Sequence, residues 1–496
     1  METDLLIIGG GINGAGIARD AAGRGLSVVL VEQGDLAAGT SSASSKLVHG
    51  GLRYLEQLQF SLVAEALAER EVLLRTAPHL VRPLRFVMPH APEVRPAWVI
   101  RSGLLLYDWL ARHDTLPRST AVNLSEPLYS SALQPRYTRG YAYSDCWVDD
   151  ARLVVANARA AADLGARILP RTLCFAPRRD GNRWRARLKS AAGESEVSAR
   201  ALVNAAGPWA ERVLIEALRQ PTKSLLRLVQ GSHIVVPSVY QGEHAFIIQN
   251  DDRRVIFVYP YEGDYTLIGT TEADIKGGEI RCEVTPAEVD YLCRAANRYF
   301  ACQIRPSDVV WSYCGIRALV DDGGANPSRL SREYLLRLDG NLTAAPLLSV
   351  LGGKITTYRR LAERALDKLA PWFRGMAEPW TAGVPLAGGE LPAGVDRYVD
   401  DLQTRYATVP RPLLHALTQR HGSRVPAVLT TARTVVDLGE HYGADLYARE
   451  VDYLIEQEWA RETEDVLWRR TKMGLRLSPE QQGKLRAYMA RRSLAL

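Results

Sequence analysis

Long hydrophobic runs are missing from this 496-residue chain. No stretch reaches the roughly 18 to 20 apolar residues needed to cross a bilayer, so any membrane contact must be peripheral. The longest candidate, Trp98 to Leu110, is interrupted by Arg101 and Asp108. Closely spaced cysteines are missing too. Cys146, Cys174, Cys282, Cys293, Cys302 and Cys314 are scattered, with no Cys-x-x-Cys pair. That spacing speaks against a zinc site and a disulfide framework, and packed or idle thiols in a reducing cytosol are the expectation. Fixed-period repeats and low-complexity tracts are also absent. Nothing at the start resembles a signal peptide, because Asp4 and a glycine-rich turn come at once. Neither sign of charge dominates: the net charge of +6 suits an anionic substrate or an anionic membrane surface and calls for no nucleic acid.

What remains is an ordinary globular composition, 47% hydrophobic and 24% charged, which excludes extensive disorder. The length exceeds what one core organises, so two or three domains are expected.

The N-terminus carries the most specific local signal. Leu5 to Ile8 is an apolar strand, Gly14 to Arg24 has small residues at helical spacing, and Ser27 to Glu32 reads as a second buried strand. Between the first strand and the helix lies Gly9-x-Gly11-x-Asn13-Gly14. In that setting the first glycine makes the turn, the second admits a pyrophosphate, and the third lets helix and strand pack closely. Glu32 stands where a carboxylate can accept hydrogen bonds from a ribose diol. A dinucleotide site follows, but the motif alone does not separate FAD from NAD. The next loop does: Thr40-Ser41-Ser42-Ala43-Ser44-Ser45-Lys46-Leu47-Val48-His49-Gly50-Gly51 is long and hydroxyl-rich, where an NAD domain would enter its next helix. It suits the lower part of a flavin nucleotide and close approach of the ring.

Further along, Ser61 to Thr76 and Asp149 to Gly165 read as helices, and residues 166–206 as an antiparallel meander. Residues 225–320 are strand-rich and are interrupted by one helix start, Thr285-Pro286-Ala287-Glu288, a capping box with proline at the first helical position. After Leu347 to Leu351 the chain turns through Gly352-Gly353 into a helix beginning near Lys354. A Pro/Gly-rich stretch, residues 378–394, marks a boundary, and the remainder is helical. Its end, Arg469 to Arg492, holds eight Lys/Arg against the single acid Glu480. A solvated helical face is the plainer reading, and a basic surface on anionic lipid the other.

The segments IIGGGINGAGIARDAAGRGLSVVLVE, TSSASSKLVHGGLRYL, LVNAAGPWA, GSHIVVP, IGTTE, GIRAL, GGKITTYRRLAE and DVLWRRTKMGL together resemble the respiratory, flavin-dependent glycerol-3-phosphate dehydrogenases of the D-amino-acid-oxidase-like group. The resemblance runs along essentially the whole chain, with Glu272 in place of aspartate and Ala318 in place of proline. It implies an α/β fold: a Rossmann-type FAD-binding domain (1–80, 140–220 and 340–375), an antiparallel-sheet substrate domain (81–139 and 221–339) and a C-terminal all-α domain (390–496). It further implies non-covalent FAD, oxidation of sn-glycerol 3-phosphate to dihydroxyacetone phosphate, and electrons passed to a membrane quinone. The alternative is an oxidase that uses O2. A peripheral place at the cytoplasmic face of the inner membrane, partly cytoplasmic, goes with it, and the resemblance leans towards a homodimer.

Oxidising such an alcohol needs a base for the hydroxyl proton, cations for the phosphate and positive potential near the reduced flavin. The resemblance places Arg53, Tyr54, Thr270, Arg317, Arg332 and Lys354 at the substrate, with Arg317 nearest the reacting carbon. His233 is the first candidate for the base, because neighbouring arginines would keep its ring neutral, and His49 the reserve. The cofactor would meet Gly9, Gly11, Asn13, Gly14, Glu32, Thr40, Ser41, Ser42, Ser45, Lys46, Leu47, His49, Gly50 and Gly51. It would also meet Ala205, Gly207, Trp209, Gly353, Lys354, Ile355 and Thr356. No metal is expected.

Overall fold

The structure is a computed structural model, and it describes all residues except 92–94, 112–114, 219–224, 253, 276–279, 322–332 and 495–496. Two sheets organise the chain. The first, eight-stranded among the described residues, has parallel neighbours at its centre: Leu347–Leu351, Gly193–Asn204, Glu2–Ile8, Val28–Val31 and Arg167–Leu169. Leu5 lies beside Ala201 on one flank and Val28 on the other. The central stretches of these strands, residues 5–7, Val28–Val31 and residues 201–203, are apolar because helices and a meander cover both faces of the sheet, as parallel sheets require. The helices Ile12–Gly23, Asp150–Asp163 and Tyr358–Leu369 pack there, and Ala15, Ala18, Ala158 and Ala362 bring their backbones close. The expected meander is present as Leu173–Asp180, Arg183–Ser190 and Gly193–Asn204.

The second sheet, ten-stranded among the described residues, is mainly antiparallel. Its long strand Leu226–Pro237 lies between Trp311–Val320 and Tyr265–Gly269, which pairs His233 with Tyr313 on one side and with Gly269 on the other. Two strands of this sheet, Val81–Pro89 and Arg139–Val148, have no clear mark in the sequence. Their alternation is blurred because side chains on both faces are buried. The strand Leu335–Asp339 joins the first sheet, pairing with Leu347–Leu351. The helix Pro286–Asn297 starts at Thr285 with both halves of the capping box formed.

The C-terminal part has its own core, including Val399, Leu414, Tyr442, Leu454, Val466 and Leu485, between the helices Gly394–Arg405, Arg411–His421, Ala448–Gln457 and Pro479–Leu494. It is not purely helical, because a two-stranded ribbon, His441–Gly443 with Leu446–Tyr447, is inserted. The reading of the cysteines as packed or idle thiols needs one correction. Cys282 and Cys314 are paired, with Cα atoms 5.8 Å apart, while Cys146, Cys174, Cys293 and Cys302 are in no disulfide among the described residues. A gap of 32 positions hides such a pair in the sequence. None of the helices, among the described residues, is long and apolar enough to cross a membrane.

Candidate active site

The glycine turn is built by close approach. Gly9 has φ +115°, and a Cβ there would come within 2.5 Å of the Ala205 carbonyl oxygen. A Cβ on Gly14 would fall 1.9 Å from the Gly9 carbonyl oxygen, so Gly14 serves the packing of helix on turn and does not line the cavity. Glu32 holds the turn from below: its carboxylate accepts from the Gly10 amide at 2.7 Å and from the Gly34 amide at 2.8 Å, and it borders the cavity. Ser41 Oγ accepts from the Ile12 amide at 3.0 Å, tying the serine loop to the start of the first helix.

Above this turn lies a cavity of about 530 Å³, lined by residues from both sheets. Gly9, Gly11, Asn13, Glu32, Thr40, Ser41, Ser45, Leu47, His49, Ala205, Gly207, Trp209, Gly353, Lys354, Ile355 and Thr356 all border it, as do Tyr54, His233 and Arg317. The serine loop forms one wall and is held by two tyrosines: the hydroxyl of Tyr259 donates to the Ser45 carbonyl at 2.6 Å and that of Tyr313 to the Ser44 carbonyl at 2.9 Å. Thr40 Oγ1 donates to the Ile316 carbonyl at 2.7 Å, joining the loop to the strand that carries Arg317.

The upper end is cationic. Lys354 Nζ lies 3.8 Å from the centre of the Tyr54 ring, a cation–π contact at the cavity wall. Arg317 Nη2 donates to Thr270 Oγ1 at 3.1 Å. Glu272 faces both Arg317 and Arg53, at 3.8 and 3.9 Å.

His233 is 2% exposed and stacks on Tyr313, and its Nε2 lies 2.9 Å from Ser45 Oγ. Burial, then the charges of Arg317 and Lys46, hold its imidazole well below the ordinary 6.5. The ring is therefore neutral at physiological pH. Nδ1 is buried without a hydrogen-bond partner among the described residues. His49 is pushed down to about 3 by burial and then by Lys354.

Several expected residues sit elsewhere. Lys46 is turned inward: its ammonium, fully buried, pairs with Asp150 at 2.9 Å and donates to the Ser42 carbonyl at 3.0 Å. Burial holds the Lys46 amine below the ordinary lysine range, and the charge of Asp150 works against that. Ser42 borders a neighbouring cavity with Trp209, Trp311 and Trp468. The amide of Gly50 donates to Tyr107 at 2.9 Å, and Gly51, at φ +80°, packs under the Tyr54 ring, so neither borders the main cavity. Arg53 and Thr270 also stand outside its lining: Thr270 meets Arg317, which borders the cavity, while Arg53 faces Glu272, which does not. Arg332 lies outside the described residues. Asp150, Tyr259 and Tyr313 were not singled out from sequence, because each acts on a segment more than a hundred positions away.

A glycine turn gripped by a distant strand, a buried Asn13 Oδ1 with no partner among the described residues and a cavity spanning two sheets fit a flavin dinucleotide. The fold and this site define an FAD-dependent oxidoreductase. The chain belongs to the FAD dependent oxidoreductase family, whose model matches residues 4–359, and residues 379–486 match the C-terminal domain of alpha-glycerophosphate oxidase. FAD is its cofactor. The chain is similar end to end to the glycerol-3-phosphate dehydrogenase of Pseudomonas aeruginosa, at 50% identity over 98% of this chain and 94% of that one. It is also similar to the D-erythritol 1-phosphate dehydrogenase of Brucella abortus, at 48% identity over 96% and 95%. Among solved structures, the glycerol-3-phosphate dehydrogenase from Bacillus halodurans complexed with FAD superposes with TM-score 0.77 at 28% identity, covering 99% of this chain and 90% of that one.

Proposed function

We propose that the protein oxidises sn-glycerol 3-phosphate to dihydroxyacetone phosphate and delivers the electrons to a membrane quinone. The observation that carries this reading is the joining of a neutral buried imidazole, His233, with a cationic end at Arg317 and Lys354 in one cavity. Bound FAD supplies the hydride acceptor. Arg317, nearest the reacting carbon, and Lys354 and Arg53 hold the phosphorylated substrate, with arginine offering a planar fork and lysine a point charge. Tyr54, under the Lys354 ammonium, closes the pocket. His233, which borders the cavity with Ser45 Oγ against its Nε2, takes the hydroxyl proton. Gly352 and Gly353, both at positive φ, let the chain approach the cofactor ahead of the turn Ile355–Thr357.

The division of labour follows the sheets. The first sheet with its helices forms the cofactor domain, the second the substrate domain, and residues 390–496 a helical appendage.

A lipid-soluble acceptor is supported by one surface. On the helix Ala97–Leu110, Ile100, Leu104 and Tyr107 face inward, while Trp98, Leu105 and Trp109 are 72%, 60% and 64% exposed. Leu58, 73% exposed, and Phe60 belong to the adjoining segment. An exposed apolar stripe of this kind suits peripheral insertion into lipid, with Arg101 beside it for anionic headgroups. The basic C-terminal segment is a weaker candidate, because most of its cations have internal partners: Arg469 and Arg470 on Asp35, Lys472 on Asp149, Arg476 on the Glu262 carbonyl and Arg492 on Asp452.

The Brucella relative favours a second substrate, a four-carbon polyol phosphate. Steady-state turnover of the purified holoenzyme on glycerol 3-phosphate and on D-erythritol 1-phosphate separates the two, and supplying a soluble quinone or O2 separates dehydrogenase from oxidase. Preference for glycerol 3-phosphate with quinone is expected. Preference for the tetritol ester, or equal rates with O2, would overturn the corresponding part.

A further inference from the structure

Glu272 is an acid just outside the cavity lining, behind the cationic end that would bind a dianion. Its side chain is 10% exposed, and its carboxylate lies 3.9 Å from Arg53 Nη1 and 3.8 Å from Arg317 Nη1. The two arginines come from unrelated places, the turn Leu52–Gln57 and the strand Trp311–Val320. Both separations exceed the length of a direct hydrogen bond, so the carboxylate acts on these two groups chiefly as charge.

The segment carrying Glu272 is firmly anchored. Thr271 Oγ1 donates to Glu288 Oε1 at 2.7 Å and accepts from the Ser232 amide at 2.9 Å. The Thr271 amide donates to the Ser232 carbonyl at 3.2 Å, and Ser232 Oγ donates to the same Glu288 oxygen at 2.8 Å. Glu288 is itself fixed by the capping box at Thr285. One residue earlier, Thr270 Oγ1 takes Arg317 Nη2. The guanidinium lies against the backbone of Gly231, where a Cβ would come within 2.7 Å of both Arg317 Nη2 and Thr270 Oγ1. Residues 270–272 therefore hold Arg317 through a hydroxyl on one nitrogen and a carboxylate facing the other.

Two guanidinium groups repel each other, and a fixed negative charge between them offsets that repulsion. The same charge weakens their combined grip on a phosphate dianion, which matters because the product is as anionic as the substrate. We propose that Glu272 is a positioning residue: a fixed carboxylate that keeps Arg53 and Arg317 turned towards the phosphorylated substrate and tempers their joint charge so that the anionic product can leave. This rests on the reading that these arginines hold the substrate.

The test compares the holoenzyme with Glu272→Gln, Glu272→Asp and Arg317→Ala, measuring kcat, KM for glycerol 3-phosphate, inhibition by inorganic phosphate, FAD content and melting temperature. Glu272→Gln keeps size and removes charge, so FAD content and melting temperature should stay as in the wild type. Its kcat should fall about tenfold, and inorganic phosphate should inhibit about threefold more tightly, because the site has become more positive. Glu272→Asp restores the charge on a shorter arm and should recover at least half of both changes on a logarithmic scale. Anything short of both changes in the Gln variant, with recovery in the Asp variant, overturns the proposal. Arg317→Ala tells the two layers apart. If it is crippled while Glu272→Gln behaves normally, only the role of Glu272 fails. If Arg317→Ala itself turns over normally, the substrate-site reading has failed.

Discussion

The imidazole of His233 lies flat on the phenol ring of Tyr313, with centroids 4.7 Å apart and planes 10° from parallel. The two residues face each other across neighbouring strands, and the Tyr313 hydroxyl reaches on to the Ser44 carbonyl. Tyr313 therefore fixes the plane of the ring while Ser45 fixes one of its nitrogens. A base held on both counts needs little reorganisation when the proton moves.

This geometry predicts the pH profile. Because burial and the charges of Arg317 and Lys46 depress His233, kcat at saturating substrate should stay level from pH 8 down through the ordinary histidine range. An acid limb centred near 6.5 in a pH–rate measurement would show a solvated imidazole instead. His233→Ala should lower turnover by about a hundredfold or more, the usual cost of losing a general base.

Stability should fall with acid for a related reason. His49 and His79 are pushed down to about 3, His244 to about 4, and His233 lies well below its ordinary value. Each is neutral when folded and takes up a proton near 6.5 when unfolded. Below that pH the unfolded chain binds more protons, so stability drops as pH falls. Each group contributes at most about 1.4 kcal/mol per pH unit down to its folded value. Glu450, held at about 2 with Arg420 the leading attraction, adds to the loss below about 4.5. Melting temperatures between pH 8 and pH 5 test this, and a flat curve would contradict it.

The buried pair Lys46–Asp150 should be structural. Lys46→Met leaves Asp150 charged in a dry place and should cost about 3 to 5 kcal/mol of stability. The double variant Lys46→Met with Asp150→Leu should recover much of that loss, since it removes both charges. Chemical denaturation of the three proteins gives the answer, and equal stability of single and double variants would refute the pairing.

Lipid contact should depend on Trp98 and Trp109. Replacing both with serine should abolish co-sedimentation with anionic vesicles, while Arg486→Ala with Arg491→Ala should leave it intact. Loss of binding only in the arginine variant would move the contact to the C-terminal segment.

The glycine turn, Glu32 and the two flanking strands were legible in the sequence because they form one contiguous unit, whereas the strand leading to Ala205 that grips the turn is far along the chain. The capping box at Thr285 was legible for the same reason. The convergence of His233, Arg317 and Lys354 came from resemblance, since no periodicity brings two separate strands and a turn to one cavity. Lys46 was misread: its glycine- and serine-rich neighbours suggest a nucleotide loop, and the partner that turns it inward is 104 positions away. The basic stretch from Arg469 was half-legible for a similar reason, because Asp35 and Asp149, which take up three of its cations, belong to the other end of the chain. The apolar helix Ala97–Leu110 could be seen, but not which face the protein leaves exposed.

The most direct measurement is anaerobic titration of the purified FAD-bound protein with glycerol 3-phosphate, followed by visible flavin absorbance. The account predicts that the flavin is bleached by the substrate alone, rapidly in the wild type and about a hundredfold more slowly in Arg317→Ala. Flavin that keeps its colour under saturating glycerol 3-phosphate, or an Arg317→Ala variant reduced as fast as the wild type, would contradict it.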